Sequence, residues 1–272
     1  MRIGSRGSAL ALAQATPIAE ALGAELVVIT TSGDRDRSAG DKGRWVGELE
    51  RALLEAEIDV AVHSAKDVPS ELAGGTTLLP SPPRADPRDA LCGAASLAEL
   101  PEGARVGTAS LRRRSQLLAL RPDLDVADLR GNVDTRLRRL AEGDFAAIVL
   151  AAAGLERLGR ASEGTPIDDL VPAAGQGILA LQVRAGDTID AASDAAATAA
   201  LACERALVRA LDADCDTPVG ALYAEGVLRA FVGAPDGSAW VRDELAGDDP
   251  EALGAEVGAR LLAAGAAGIL GR

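Results

Sequence analysis

The feature that most constrains this chain is a rhythm that appears twice and is broken twice. Short apolar runs rich in β-branched residues alternate with helical periodicity: residues 25–30 read as strand, 47–57 as helix and 58–63 as strand. Pro82, Pro83, Pro87 and Pro101 then punctuate the chain. A second unit begins at Val106, with a helix from Ser110, a strand near 125–129, a helix from Asn132 and a strand over 146–150. Such alternation buries its strands as a sheet covered by helices, so each unit is expected to be α/β. Pro166, Pro172, Gly175 and Gly177 interrupt again, and the apolar run 178–183 is too isolated to found a domain. It is expected to return to the first unit. The remainder reads as an Ala-rich helix over about 191–211, strands at 219–223 and 227–232, a turn at 235–238, a strand to Arg242 and a helix over 250–264. That is a small α+β domain. The opening residues faintly mimic a signal peptide, but the apolar run is short and Gln14 follows within it, so a strand over 2–5 and a helix from Ser8 are expected.

Composition narrows the function classes. Of 272 residues 48% are hydrophobic but only 2% aromatic, so the cores are built from Ala, Leu, Val and Ile. That leaves no aromatic platform for single-stranded nucleic acid, and a net charge of −13 repels any polyanion of that size. No apolar run reaches the roughly 20 residues needed to cross a bilayer. The expectation is a chain that engages neither nucleic acid nor membrane. Cys92, Cys203 and Cys215 make an odd number without CxxC spacing, which argues against a disulfide framework or zinc site and for a reducing cytoplasm. Only two of the 28 basic residues are lysines. Beside abundant Asp, Glu and Ala, that points either to a salt-rich cytoplasm or to a GC-rich genome.

Against this acidic background one segment inverts the charge. Residues 105–139 hold nine arginines and four aspartates, a net +5, which leaves −18 on the rest of the chain. Guanidinium forks fit carboxylate or phosphate two bonds at a time. The clusters Gly107-Thr108-Ala109-Ser110-Leu111-Arg112-Arg113 and Leu129-Arg130-Gly131-Asn132-Val133-Asp134-Thr135-Arg136 each follow a short apolar segment, which places them at strand-to-helix turns where helix N-termini also attract anions. The segment is expected to hold a polyanion.

The run Asp59-Val60-Ala61-Val62-His63-Ser64-Ala65-Lys66-Asp67-Val68-Pro69 sets Ser64, Lys66 and Asp67 at the C-terminal end of an apolar strand, the end where open α/β sheets bind ligands. His63 is the only histidine, so no His-based triad or His-rich metal site can form, and it reads as a hydrogen-bonded structural residue.

In order along the chain, residues 2–15, 43–50, 59–69, 86–90, 107–113, 121–124, 129–137, 150–159 and 172–177 resemble porphobilinogen deaminase, also called hydroxymethylbilane synthase. Cys215-Asp216-Thr217-Pro218-Val219-Gly220 and 232–238 complete a resemblance that spans nearly the whole chain. It implies three domains: two α/β lobes like those of periplasmic binding proteins, over 1–94 with 173–190 and over 95–172, and an α+β domain over 191–272. It also implies a cytoplasmic, monomeric transferase without metal, which condenses four porphobilinogen molecules with loss of ammonia onto a dipyrromethane cofactor, giving hydroxymethylbilane. By position, Cys215 corresponds to the cysteine that carries the cofactor by a thioether, and Asp67 to the carboxylate that stabilises cationic pyrroles. Arg112, Arg113, Arg130 and Arg136 correspond to carboxylate clamps, with Gly131 beside them. Ser64, Lys66, Thr108 and Ser110 correspond to supporting donors around the cofactor, and Arg6, Ser8 and Arg157 to residues nearer the incoming substrate. Arg105, Arg114, Arg138 and Arg139 match no family ligand and read as surface residues, and Cys92 and Cys203 as structural cysteines. Ala109, Gly7 and Trp45 depart from common family residues, Trp45 keeping an aromatic lid, and the loop 34–42 is variable. A bilobal solute-binding module and a phosphate-ester enzyme are the rival readings; the first requires neither Cys215 nor Asp67, and the second lacks metal-ligand carboxylates and a glycine-rich cradle.

Overall fold

The computed structural model describes residues 1–31, 43–214 and 217–272. In the first lobe β1 (Arg2–Arg6) pairs in parallel with β2 (Glu25–Ile29) and β3 (Val60–Ser64). Helix α1 (Ala9–Ala21) starts at Ser8, whose Oγ accepts from the Ala11 N–H at 3.2 Å, and packs Ala15 and Ala19 on Ile3, Val60 and Val62. Helix α2 (Gly43–Leu54) covers the other face, where Leu49, Ala52 and Leu53 meet Ile58 and Ala61. Gly4 lets this layer close: a Cβ there would lie 2.3 Å from Ile58 Cδ1. Sheet order is β2-β1-β3-β10-β4, with β4 at Thr76–Leu78 and β10 at Leu179–Arg184, the latter antiparallel to both neighbours. The isolated apolar run thus does return to the first sheet.

The second lobe repeats the plan. Its order is β7-β6-β8-β5-β9: β6 (Arg105–Gly107) is parallel to β7 (Asp125–Ala127) and β8 (Ala147–Ala151), while β5 (Asp89–Cys92) runs antiparallel to β8 and β9 (Thr165–Ile167). In each lobe the antiparallel strand is the first to arrive from the other lobe. This corrects the expected boundary at residue 94, because β5 belongs to the second sheet and the crossover lies before Asp89. The strand escaped the sequence reading because it opens on an aspartate beside prolines. β9 carries Pro166, which an edge strand tolerates.

Helices α3 (Leu111–Leu120) and α4 (Val133–Ala141) start at caps Ser110 and Asn132, and the one-and-a-half-turn α5 (Ala152–Arg157) follows β8 directly. The third domain is an antiparallel meander, β11 (Val219–Ala224), β12 (Val227–Gly233) and β13 (Trp240–Ala246), under α6 (Ala195–Ala210) and α7 (Pro250–Ala263), with a short α8 (Ala266–Ile269) at the end. Its core contains Leu207, Leu228, Val232 and Val257. The two long helices touch at Gly254, where a Cβ would lie 2.1 Å from the Cys203 carbonyl oxygen. Among the described residues no helix is long and apolar enough to cross a membrane.

The crossovers run side by side. Ala85 N–H donates to Gly177 O at 3.2 Å, Arg84 Nε to Gln176 O at 2.9 Å, and Gln176 Nε2 to Pro87 O at 2.7 Å. Glu204 of α6 ties the third domain to this hinge, pairing with Arg84 Nη1 at 2.7 Å and accepting from the Gly175 and Tyr223 N–H groups at 2.6 and 2.9 Å.

Candidate active site

Two adjoining cavities of about 450 and 470 Å³ open along the faces where the lobes meet. Lys66, Asp67, Ala109, Arg113 and Arg136 line both and form the shared wall. The first cavity is also lined by Arg6, Ser8 and Ser64 from the first lobe and by Arg130, Gly131 and Arg157 from the second. The second reaches Ser110, Arg112, Arg205 and the third domain, ending at Asp214 and Thr217. Cys215 lies outside the described residues, as do residues 34–42; of Trp45 only the helical backbone is described. The residues flanking Cys215 nonetheless border the second cavity.

Local structure explains the gathering. β1 and β3 are parallel, so their C-terminal ends present Arg6, Ser8 and Ser64 on one side, and a single 3-10 turn, Ala65–Asp67, carries Lys66 and Asp67 onward. Lys66 Nζ donates to Gln176 Oε1 at 3.3 Å. Across the cleft, α3 and α4 begin after β6 and β7. Thr108 lines neither cavity; it is buried, and its Oγ1 accepts from the Ser110 N–H at 3.2 Å, so it shapes the turn.

The arginines divide sharply. Arg112 and Arg113, expected as substrate clamps, are 4% and 6% exposed and close on an internal carboxylate. Arg112 reaches Asp89 at 2.8 and 3.2 Å, and Arg113 reaches it at 3.0 and 2.7 Å. Their remaining Nη1 bonds go to the Val171 and Val149 carbonyls at 2.7 and 2.8 Å. Asp89 is fully buried; burial alone would raise its pKa, but the two guanidiniums outweigh that and hold it well below the usual carboxylate range. Gln176 Nε2 donates to the same Asp89 oxygen at 2.9 Å, so this quartet joins the hinge to the shared wall. Arg130 sits exposed on its turn beside Asp128, 2.9 Å away.

Arg136 and Arg157 are different. Their hydrogen bonds go to the Gly131 and Gly177 carbonyls at 2.8 and 2.7 Å, and neither has an ion pair among the described residues. Burial, then the neighbouring Arg113 charge, push the Arg136 guanidinium down to about 10, and burial lowers Arg157. Arg205 on α6, which sequence reading passed over, has the same character: it donates to Ser70 O at 2.8 Å and is lowered by burial and by Arg209. Desolvated cations that line a cavity and have no carboxylate partner of their own favour an anion beside them. Asp89 and Gln176 were also missed as residues of the site; the signal for Asp89 was a charge at the head of an apolar strand. Arg105, Arg138 and Arg139 are surface residues paired with Asp125, Glu142 and Asp144, and Arg114 packs its guanidinium on the Val126 carbonyl.

The family models and the curated relatives agree over nearly the whole chain. The family model described as porphobilinogen deaminase, dipyromethane cofactor binding domain, matches residues 1–191, and that of the porphobilinogen deaminase C-terminal domain matches 198–263. The porphobilinogen deaminase of Rubrobacter xylanophilus is 48% identical over 99% of this chain and 96% of that protein, and that of Brevibacillus brevis 43% over the same shares. Among solved structures, an ancestral cationic amino acid solute binding protein is 12% identical with a TM-score of 0.43, covering 69% of this chain and 82% of that one. With both domain models matched and relatives alike over nearly their full length, the chain belongs to the porphobilinogen deaminase family.

Proposed function

We propose that the two cavities carry out the reaction for which this family is named: the deaminating condensation of four porphobilinogen molecules into hydroxymethylbilane, primed by a dipyrromethane held by Cys215. The observation that carries this reading is the set of desolvated guanidiniums, Arg136, Arg157 and Arg205, that face the cavities without a carboxylate partner. Each porphobilinogen brings an acetate and a propionate, so the substrate supplies the missing anions, and so does the cofactor built from it.

The donor set fits the cofactor. Arg205, Arg136 and Ser110 would hold its carboxylates in the second cavity, next to the residues flanking Cys215. When bound, the dipyrromethane supplies the free pyrrole α-carbon on which the product is extended. Arg6, Ser8, Arg130 and Arg157 receive the incoming porphobilinogen in the first cavity. Asp67 stands on the wall between the two. As the C–N bond of the aminomethyl group breaks and ammonia leaves, positive charge develops on the substrate ring, and a fixed carboxylate there lowers the barrier as an oxyanion hole does with the signs reversed. The same carboxylate is placed to relay the proton that the α-carbon later loses. The acidic surface supports an enzyme without nucleic-acid partners, and the odd number of cysteines without CxxC spacing supports a reducing cytoplasm; the monomer is what the family resemblance implies.

Intact mass tests the assignment. The active protein should exceed its sequence mass by two linked pyrrole units, and Cys215→Ser should remove both the adduct and bilane formation. An unmodified mass in protein that releases ammonia from porphobilinogen would overturn it.

A further inference from the structure

One buried titratable group remains outside this account. His63, the fourth residue of β3, is 6% exposed, lines the first cavity beside Asp67, and is the only histidine. Its Nε2 lies 3.0 Å from Gln182 Oε1 on β10. Which partner donates follows from the groups behind Gln182. Gln182 Nε2 contacts Glu50 Oε1 on α2 and Thr76 Oγ1 on β4, each at 2.8 Å. A carboxylate oxygen only accepts, and the Thr76 hydroxyl directs its single proton to Ala73 O at 2.8 Å, so its oxygen accepts too. Glu50 is itself held in place by the Ala73 N–H at 3.2 Å. Both amide hydrogens of Gln182 are therefore committed, its oxygen must face His63, and the imidazole proton must sit on Nε2.

That leaves Nδ1 with a bare lone pair. Nδ1 has no hydrogen-bond partner among the described residues, nor is it one of the sealed unpartnered atoms, which are Ser81 Oγ, Arg112 Nε and Ser115 Oγ. His63 is one of the residues that line the first cavity.

We infer that His63 contacts the substrate, its Nδ1 accepting a hydrogen bond from an N–H group of the incoming porphobilinogen, with Glu50, Thr76 and Gln182 fixing the tautomer that makes this possible. The inference rests on the function proposed above and adds a contact that the arginines and Asp67 cannot supply, an uncharged acceptor. Neutrality suits the chemistry. The amine must leave as ammonia, so it needs its extra proton, and a strong base at this position would strip that proton away. Burial pushes the imidazole down to about 4, against the opposing charges of Glu50 and Asp67 and with that of Arg6, so it accepts without becoming a base. The N–H group is either that of the pyrrole or that of the aminomethyl ammonium.

A lone histidine is its own spectroscopic probe. In holoenzyme labelled with 15N-histidine, two-bond proton–nitrogen correlation should show the Nε2–H tautomer, and an analogue with methyl in place of aminomethyl should move the Nδ1 resonance if the pyrrole N–H is the donor. If the ammonium is the donor, Nδ1 should move only with porphobilinogen, added stoichiometrically. An Nδ1–H tautomer, or an Nδ1 resonance that neither compound moves while porphobilinogen is still consumed, overturns the inference and leaves the proposed function standing. Failure of the holoenzyme to bind or consume porphobilinogen defeats both. Two variants separate contact from scaffolding. His63→Asn places an amide oxygen near the Nδ1 position, whereas His63→Gln reaches Gln182 but lacks the Nδ1 acceptor. His63→Gln should lose on the order of tenfold in kcat/KM, and His63→Asn should lose less. The reverse order would mean that His63 serves only the sheet.

Discussion

Two sets of arginines in the same lobe differ in what balances their charge. Arg112 and Arg113 open α3 and are neutralised from within by Asp89; Arg136 on α4 and Arg157 at the end of α5 are half-buried, yet have no carboxylate among the described residues. The first set is tied to Asp89 within the wall of the cleft. The second, under the function proposed above, is a receptor that the substrate completes. What separates them is a counterion rather than the count of charges, and that counterion comes from a strand 23 residues away. Arg113 shows how the two are coupled: its charge lowers Arg136, and its guanidinium lies on the wall shared by both cavities.

The comparison breaks most visibly at Asp89. Asp89→Asn leaves two buried guanidiniums opposite a neutral amide, which should cost about 3–5 kcal/mol of unfolding free energy in urea. The pH dependence carries the same information. Because the folded carboxyl is held below its usual value, the unfolded chain binds the proton first as pH falls. The stabilisation is therefore complete above the unfolded pKa of about 3.9 and is lost as pH drops below it. Wild-type urea midpoints should fall more steeply between pH 5 and 3 than those of Asp89→Asn, by this group's share. Parallel slopes, or a cost under about 1 kcal/mol, would show that Asp89 does not neutralise the pair.

On the ligand side the largest effect belongs to Asp67. With preassembled cofactor, Asp67→Asn should lower single-turnover release of ammonia on the order of 10²–10³ while substrate affinity changes far less. Arg157→Leu should do the reverse. It removes a contact made in ground and transition states alike, so KM should rise on the order of 10–100-fold, the usual worth of a hydrogen bond to a charged group, with no loss of thermal stability. A stability loss comparable to that of Asp89→Asn would place Arg157 among the structural arginines and erase the distinction.

Much of this frame was legible from the residues. The helix starts expected at Ser8, Ser110 and Asn132 are the caps found, because each side-chain oxygen satisfies an N–H group that the first turn leaves open. The strands 58–63 and 178–183 showed themselves by largely apolar, β-branched-rich runs. Three strands did not: β4 because it is only three residues long, β5 because its first residue is charged, and β9 because proline sits inside it. At the site, residue type and order singled out Lys66, Asp67 and the arginines, but not how the arginines divide. A local pattern shows that a guanidinium is present; whether it is already neutralised depends on a contact made only in the folded chain. His63 is a related case. A hydrogen-bonded histidine was expected and is found, but its partner Gln182 lies 119 residues along the chain, so the tautomer could not be read beforehand.

The smallest expected effect sharpens the comparison from outside. Arg138 lies in the same basic segment, but its side chain is 63% exposed and pairs with Glu142 one helical turn on, at 2.7 Å. In water such a pair contributes about 0.3–0.5 kcal/mol, since both ions are already well solvated and two flexible side chains must be ordered to meet. Arg138→Ala should therefore shift the melting temperature by no more than a degree or two in a chain of this size, and leave KM for porphobilinogen unchanged. Arg139, stacked at 5.1 Å on Phe145 and paired with Asp144, should behave alike apart from a small packing loss. If either variant raised KM several-fold, the net +5 of this segment would be acting on the substrate through its long-range field. Raising the salt concentration would then weaken binding in the wild type and not in the variant, and the division of arginines by counterion would no longer account for which of them bind.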